Sequence, residues 1–418
     1  MTKQEITSWP ASTRSRAATS TYFDTVISAP VSQPVEEREL TWYQHAIEFN
    51  DMKWPFLQCG SRRSYAECLA TVTTGIVTSE VGAPNPRTLF RALASWSFNK
   101  TAREAGPPPS KYTDAIAWIE KHSRPLTDLL DPRIARAAFA TTLTSLDGRP
   151  YSSKTRRNKR SVLVSALNYA VELELLDRNP MDRIKEAITW RTAGVDRRCV
   201  VNPEQARALL DAVTAQGSEG KRLVAFFATM YFAALRPSEI MALRIDDCLL
   251  PESGWGWLTL DGATPYTGPA WTDNGTGHQR KSLKHREDGD ERHVPAHPEL
   301  VRHLQAHIAA FGVTDDGRLF RNTRDEPYIY SSYNKVWHAA RNVALTPPQV
   351  RSPLGRRPYD LRHAAVSTWL NAGVAAAQVA EWAGHSVKML LDVYAKCLDG
   401  QEEAAMALIE TRLGPAGP

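Results

Sequence analysis

Between Leu40 and about Ile184 the apolar positions recur at three- and four-residue spacing, the period of helices with one buried face. The pattern predicts helices over Tyr65–Thr78, Arg87–Asn99, Tyr112–Lys121, Pro132–Leu146 and Lys154–Leu175, with loops marked by Pro and Gly, as in Gly106-Pro107-Pro108-Pro109. The last helix opens on a basic run, Ser152-Ser153-Lys154-Thr155-Arg156-Arg157-Asn158-Lys159-Arg160, and Asn179-Pro180 signals its end. After a linker near 186–200 the helical period returns in Pro203–Val213 and Lys221–Ala233. A short β section follows: Trp255–Leu260 reads as one strand, and Ser282–Arg286 with Arg292–Pro295 as a hairpin around Glu287-Asp288-Gly289-Asp290. Helices then resume over Pro298–Phe311, Ser331–Val343, Tyr359–Asn371, Val374–Ala383, Val387–Lys396 and Glu402–Arg412. The stretch Asp261–Gln279, with Trp271 and several Gly, reads as an insertion before the hairpin. The first 38 residues, rich in Ser, Thr, Ala and Pro, read as a mobile arm. A mainly α chain of two domains is expected: an arm (1–38), a helical domain (39–185), a linker (186–200), a mixed α/β domain with a small antiparallel sheet (201–400) and a C-terminal helix and tail (401–418).

Composition narrows the class. At 418 residues, 42% of them apolar and twelve of them Trp, the chain can bury more than one core. The 51 basic and 46 acidic side chains leave +5, and residues 151–200 alone, with eleven Lys/Arg against six Asp/Glu, carry an excess of that size. A basic surplus placed on one segment suits a polyanionic partner. The cysteines Cys59, Cys68, Cys199, Cys248 and Cys397 have no paired or metal-type spacing, which suits reduced thiols and a chemistry without metal or cofactor. The longest uncharged run, Leu223–Leu235, is too short to cross a bilayer, and the N-terminus lacks the apolar core of a signal peptide. A cytoplasmic, nucleoid-associated protein is expected, with no membrane partner.

Taken one at a time, the candidate chemical residues have ordinary readings. Arg236, before Pro237 at a helix junction, reads as a surface arginine, and Glu239 as a favourable first-turn charge. Lys284 and its neighbour Lys281 read as solvated lysines of a hairpin. Tyr359 and Arg362 share a helix face, with His363 turned roughly 100° away. His385 follows Gly384 between two short helices, and nine positions on Tyr394 lies among Met389, Leu390 and Val393, where a core tyrosine is the default. Together they have another meaning. Two guanidiniums to neutralise a phosphodiester, a cation to protonate a leaving oxygen, a hydrogen-bond donor and a phenol nucleophile are the inventory for phosphoryl transfer to tyrosine.

On these motifs the chain resembles the tyrosine recombinase (phage integrase) family. Ala234-Leu235-Arg236-Pro237-Ser238-Glu239-Ile240, followed by Asp247, is similar to its first arginine box. Leu283-Lys284-His285-Arg286 to Arg292-His293-Val294-Pro295 is similar to its β-hairpin, in a register that favours Lys284 over Lys281. Tyr359-Asp360-Leu361-Arg362-His363 is similar to its second box, and Gly384-His385 with Tyr394 completes the set. The resemblance implies a DNA breaking-rejoining fold with an N-terminal SAM-like, core-binding helical bundle. It implies catalysis by Arg236, Lys284, Tyr359, Arg362, His385 and Tyr394, with Glu239 and Asp247 in support and neither ATP nor metal. The implied activity is site-specific cleavage and rejoining of double-stranded DNA attachment sites through a 3′-phosphotyrosine. It would integrate or excise a mobile element, as in similar integrases of high-GC bacteria, within a homotetramer and with a directionality factor as a further partner. Lys154, Arg156, Arg157, Lys159 and Arg160 are then expected on phosphates or base edges, and Glu402–Arg412 on a neighbouring protomer.

One position departs from the pattern. The second box usually begins with histidine, and here it begins with Tyr359. A phenol, with a pKa of about 10, is mostly neutral at pH 7 and a poor general base, so Tyr359 is expected to tune the rate by binding phosphate or positioning Tyr394. His363 is the obvious substitute, but its angular offset argues against it. The alternatives are a type IB topoisomerase-like nicking-closing enzyme and a DNA-binding regulator with an impaired site. The helical clamp and the C-terminal helix favour recombination over the first, and the intact Arg236, Lys284, Arg362, His385 and Tyr394 count against the second.

Overall fold

The computed structural model describes residues 39–185, 194–284, 287, 289–394 and 401–414. The arm, most of the linker, the hairpin residues His285, Arg286 and Asp288, and Lys396 and Cys397 lie outside the described residues. The N-terminal part runs through helices α1 (Trp42–Lys53), α2 (Cys59–Thr73), α3 (Pro86–Ala92), α4 (Lys100–Ala105), α5 (Ser110–His122), α6 (Pro132–Ala140) and α7 (Ser153–Glu172). Caps fix several of the starts: Thr41 and Gln44 form a reciprocal capping box on α1, and Asn85, Asn99, Asp131 and Ser152 accept first-turn amides of α3, α4, α6 and α7. The helix expected over Pro132–Leu146 stops at Ala140, where the Thr141 and Thr142 hydroxyls donate back to the carbonyls of Ala138 and Phe139. One core, with Trp42, Phe49, Leu69, Phe98, Ile119 and Leu163 at its centre, joins these helices.

The C-terminal part begins with the antiparallel pair α8 (Pro203–Thr214) and α9 (Gly217–Phe232), continues through α10 (Pro237–Ile240), and then enters the sheet. Strands β1 (Cys248–Leu249), β2 (Gly256–Leu260) and β3 (Arg292–Ala296) pair antiparallel in the order β1-β2-β3. This corrects the expected hairpin. The partner of β3 is β2, in the register Leu258↔Val294 and Leu260↔Arg292, whereas Lys281 makes one isolated bridge to Ala263. The cause is burial. Leu258 and Leu260 share the core face with Val294 and Ala296, while Ser282-Leu283-Lys284 has a single apolar side chain to offer. Helices α11 (Pro298–Phe311), α12 (Tyr330–Ala344), α13 (Pro347–Arg351), α14 (Asp360–Asn371), α15 (Ala376–Ala383), α16 (Val387–Tyr394) and α17 (Gln401–Leu413) complete the fold. Among the described residues no helix is long and apolar enough to cross a membrane.

The insertion between β2 and β3 crosses to the N-terminal helices. Trp271 packs against their core with its ring 6.0 Å from that of Trp54. Arg62 on α2 donates to Asp273 at 2.5 Å, Asn99 donates to the Ala270 carbonyl at 2.9 Å, and Lys281 donates to Gln58 at 3.2 Å. The segment is therefore a strap between the two helical parts, on the same loop as the candidate lysines.

Candidate active site

The centre is built where α9 ends. Ala234 adopts the left-handed backbone (φ +50°), a conformation that costs a residue with a Cβ roughly 1–2 kcal/mol. The turn aims its carbonyl at the Arg362 guanidinium, which donates to it. Arg236 then precedes α10, and its guanidinium donates to Glu239 Oε1 at 2.6 Å and to the Gly384 carbonyl at 2.7 Å. Gly384, also left-handed (φ +61°), ends α15, and a Cβ there would lie 2.3 Å from Nη1 of Arg292. Only glycine fits that point.

Glu239 is 1% exposed and lies between two arginines: Arg292 donates to both of its oxygens, at 3.1 and 2.8 Å, opposite Arg236. Burial alone would push this carboxyl up, but Arg292 first and Arg236 next hold it at about 2. Arg362, fully buried on α14, donates to the Ala383 carbonyl at 2.5 Å and meets Nε2 of His385 at 2.7 Å. Burial, reinforced by Arg362, Arg236 and Arg292, pulls His385 down to about 3, so the ring is neutral at pH 7. Three guanidiniums thus face one carboxylate, an excess of positive charge in a region shielded from water. Such a centre attracts an anion.

Tyr394 closes the cluster from α16. It is 1% exposed, its ring lies 6.2 Å from that of His385, and its hydroxyl is 2.8 Å from Nδ1 of His363. Tyr359 is half-buried, with its hydroxyl within hydrogen-bonding reach of Arg236 and its ring 5.2 Å, edge-on, from His363. A cleft of about 310 Å³, lined by Arg236, Ser238, Tyr330 and Tyr359 among others, opens beside them.

Arg236, Glu239, Tyr359, Arg362, His385 and Tyr394 therefore come together. Asp247 stands apart: its carboxylate accepts from the Arg244 amide at 2.9 Å and caps a turn. Lys284 is exposed in the loop after the strap, whereas Lys281 is half-buried, its pKa lowered by burial and by the charges of Lys284 and Arg236. On α7, Lys154 and Arg157 are exposed and Arg156 and Arg160 half-buried, but Lys159 departs from the expected DNA-facing run. It is 6% exposed and donates to the Thr71 hydroxyl at 2.7 Å, because it lies on the same helix face as Val162, Leu163 and Ala166. DNA contact by Lys159 is corrected on this ground.

Two residues of the cluster were not among the sequence candidates. Arg292 carried a readable signal, since period-two alternation places it on the core face with Val294 and Ala296, where an arginine needs a buried acid. His363 was set aside on its offset from the Tyr359–Arg362 face. Tyr394 instead approaches from a separate helix and meets the side His363 presents. One helix wheel cannot show that.

Comparison with known proteins gives a family match and a likeness of fold. The model of the phage integrase family matches residues 200–400. Comparison with curated proteins returns no match. Among solved structures, the XerH site-specific recombinase bound to difH substrate (pre-cleavage complex) is 14% identical, with 91% of this chain and 99% of that one covered and a TM-score of 0.52. The Tn1549 transposon integrase in complex with transposon right end DNA is 17% identical, with 75% and 98% covered and a TM-score of 0.51. At these identities the likeness is one of fold.

Proposed function

We propose that this chain, whose residues 200–400 match the phage integrase family model, is a tyrosine recombinase that integrates or excises a mobile element by way of a 3′-phosphotyrosine on Tyr394. The observation that carries the reading is the convergence of Tyr394 with Arg236, Arg362 and His385 at one buried, positively charged centre.

The chemistry follows from the residues. A scissile phosphodiester brings one negative charge to a cluster with more guanidinium than carboxylate, and Arg236 and Arg362 stabilise its non-bridging oxygens as charge grows in the pentacoordinate state. Glu239 bonds to both Arg236 and Arg292. These contacts hold Arg236 in place, so no reorganisation is needed when the substrate enters. His385 is depressed by burial and by three arginines, and a bound phosphate offsets part of that field and makes the ring a better hydrogen-bond donor. The Tyr394 oxygen attacks phosphorus, the bond to the 5′ oxygen breaks, and Lys284 protonates the leaving oxygen. The phosphotyrosine conserves the energy of the diester, and attack by a 5′ hydroxyl reverses the step.

The exposed Lys154 and Arg157 with Arg156 and Arg160 on α7 supply the cationic face for the duplex. Helix α17 exposes Met406, Ile409 and Leu413 at helical spacing, which supports docking on a neighbouring protomer within a tetramer. XerH and the Tn1549 integrase were each solved on DNA, which supports double-stranded attachment sites as the partner. The test is a nicked suicide duplex carrying the attachment site, followed by denaturing electrophoresis. A covalent protein–DNA band is expected from the wild type and none from Tyr394→Phe; a band of equal strength from the variant would refute the assignment.

A further inference from the structure

The Tyr394 hydroxyl has an imidazole nitrogen within hydrogen-bonding distance. It is 2.8 Å from Nδ1 of His363, and the two rings are 5.7 Å apart at 54°. The contact joins two anchored elements. His363 lies on α14, directly after the buried Arg362. The end of α16 is tied down by the Val195 amide, which donates to the Val393 carbonyl at 2.9 Å. The Tyr394 ring packs with Val195, Cys199 and Leu390. The position at which the family carries histidine is Tyr359, which lies beside Arg236. His385 reaches Arg362 through Nε2, and its buried Nδ1 has no partner among the described residues.

A phenol next to an imidazole shares one proton, so the ring can accept it only while neutral, with its own proton on Nε2. The charged and titratable groups around His363 are Asp360, Arg357 and Arg362 of its own helix and its approach, Tyr359 before them, and Tyr394 and His385 from the elements packed on it. Burial is the largest influence, and with Arg357 and Arg362 it outweighs Asp360 and brings the ring to about 4. At pH 7 the ring is therefore neutral, and in the tautomer with its proton on Nε2 the Nδ1 lone pair faces the Tyr394 hydroxyl.

We propose that His363 is the general base of strand cleavage, taking the phenolic proton of Tyr394 at Nδ1 and returning it when the strand is rejoined. In cleavage the O–H bond of Tyr394 breaks, the phenolic oxygen bonds to phosphorus, the bond from phosphorus to the 5′ oxygen breaks, and His363 becomes imidazolium. In rejoining the 5′ hydroxyl gives its proton back to Lys284 as its oxygen bonds to phosphorus, the bond from phosphorus to the phenolic oxygen breaks, and the imidazolium of His363 returns its proton to that oxygen. The assignment rests on the reading of Tyr394 as the nucleophile, and it gives an imidazole the task that Tyr359 cannot perform.

The test is single-turnover cleavage of the suicide duplex at saturating protein. His363→Ala is expected to lose about 10²- to 10⁴-fold in rate, with unchanged DNA affinity and with a rate that climbs with pH as hydroxide takes over. His363→Gln keeps a neutral acceptor of similar reach that cannot carry a proton, so it should stay within a few fold of the alanine variant. Recovery of the wild-type rate in His363→Gln would reduce His363 to a positioning residue and overturn the proposal. A duplex with sulfur in place of the bridging 5′ oxygen needs no leaving-group protonation. On it the Lys284→Ala defect should shrink while the His363→Ala defect persists, and relief of the His363 defect would also overturn the proposal. With this duplex the wild type should show a normal solvent deuterium isotope effect from the one proton still in transfer, and its absence would count against the proposal whether or not a variant folds. Covalent adducts from Tyr394→Phe would instead remove the underlying reading and leave the role of His363 without a reaction.

Discussion

Arginine–carboxylate pairs hold two regions of this molecule, under opposite conditions. In the candidate active site Glu239 is 1% exposed between Arg292 and Arg236. At the strap, Arg62 meets an Asp273 side chain that is 56% exposed. The contacts are similar, but water makes them unequal. A pair in the solvent edge is screened and contributes about 0–1 kcal/mol, whereas removal of one member of a buried set leaves an uncompensated charge that costs about 3–5 kcal/mol. The centre is thus preorganised, whereas at the strap the buried Arg62 meets a carboxylate that water reaches.

The largest effect should come from breaking the centre. Glu239→Gln leaves Arg236 and Arg292 facing each other without a carboxylate, and a loss of about 3–5 kcal/mol in urea unfolding is expected together with loss of cleavage. A change below 1 kcal/mol would mean that water reaches these arginines.

Acid sharpens the same contrast. Glu239 titrates at about 2 in the fold against an ordinary 4.5, so its contribution is complete above about 4.5 and disappears as pH falls through 2. His363 and His385, at about 4 and about 3 against 6.5, resist protonation in the fold. Their contribution is complete above 6.5 and drains as pH falls through 4 and 3. Urea midpoints should be level between pH 7 and 8 and decline from about pH 6 downward. In His363→Gln the decline should be shallower.

How much of this was legible in the sequence depends on how far apart the partners lie. Helix periods gave the mainly α layout and the small sheet, and the order of Arg236, Arg362, His385 and Tyr394 along the chain anticipated that they meet. What was missed needed information from another element. The partner of β3 was set by burial against β2, at greater sequence distance than the tempting hairpin. The role of Arg292 depended on Glu239, and that of His363 on α16. The strap showed only as an insertion, because nothing in Asp261–Gln279 announces that Trp271 fits beside Trp54.

The basic face of α7 gives a smaller contrast. Arg157→Ala should weaken binding to all duplexes and lower the slope of log affinity against log salt by about one. Lys159→Met should leave that slope unchanged while the stability of the N-terminal helices falls by about 1 kcal/mol, as its bond to Thr71 is lost. An equal salt effect from both would put Lys159 back on the DNA face. The smallest expected effect lies in the strap. Asp273→Asn should change global stability by no more than about 1 kcal/mol but speed hydrogen exchange at the amides of 58–62 and 268–281, which open with it.

The atom that bonds to DNA can be identified directly. Wild-type protein trapped on a suicide duplex can be digested with nuclease and trypsin, and the residual nucleotide located by mass spectrometry. The account predicts a nucleotide joined through its 3′ phosphate to Tyr394, with a free 5′ hydroxyl on the released strand; attachment at Tyr359 or another residue, or through a 5′ phosphate, would contradict it.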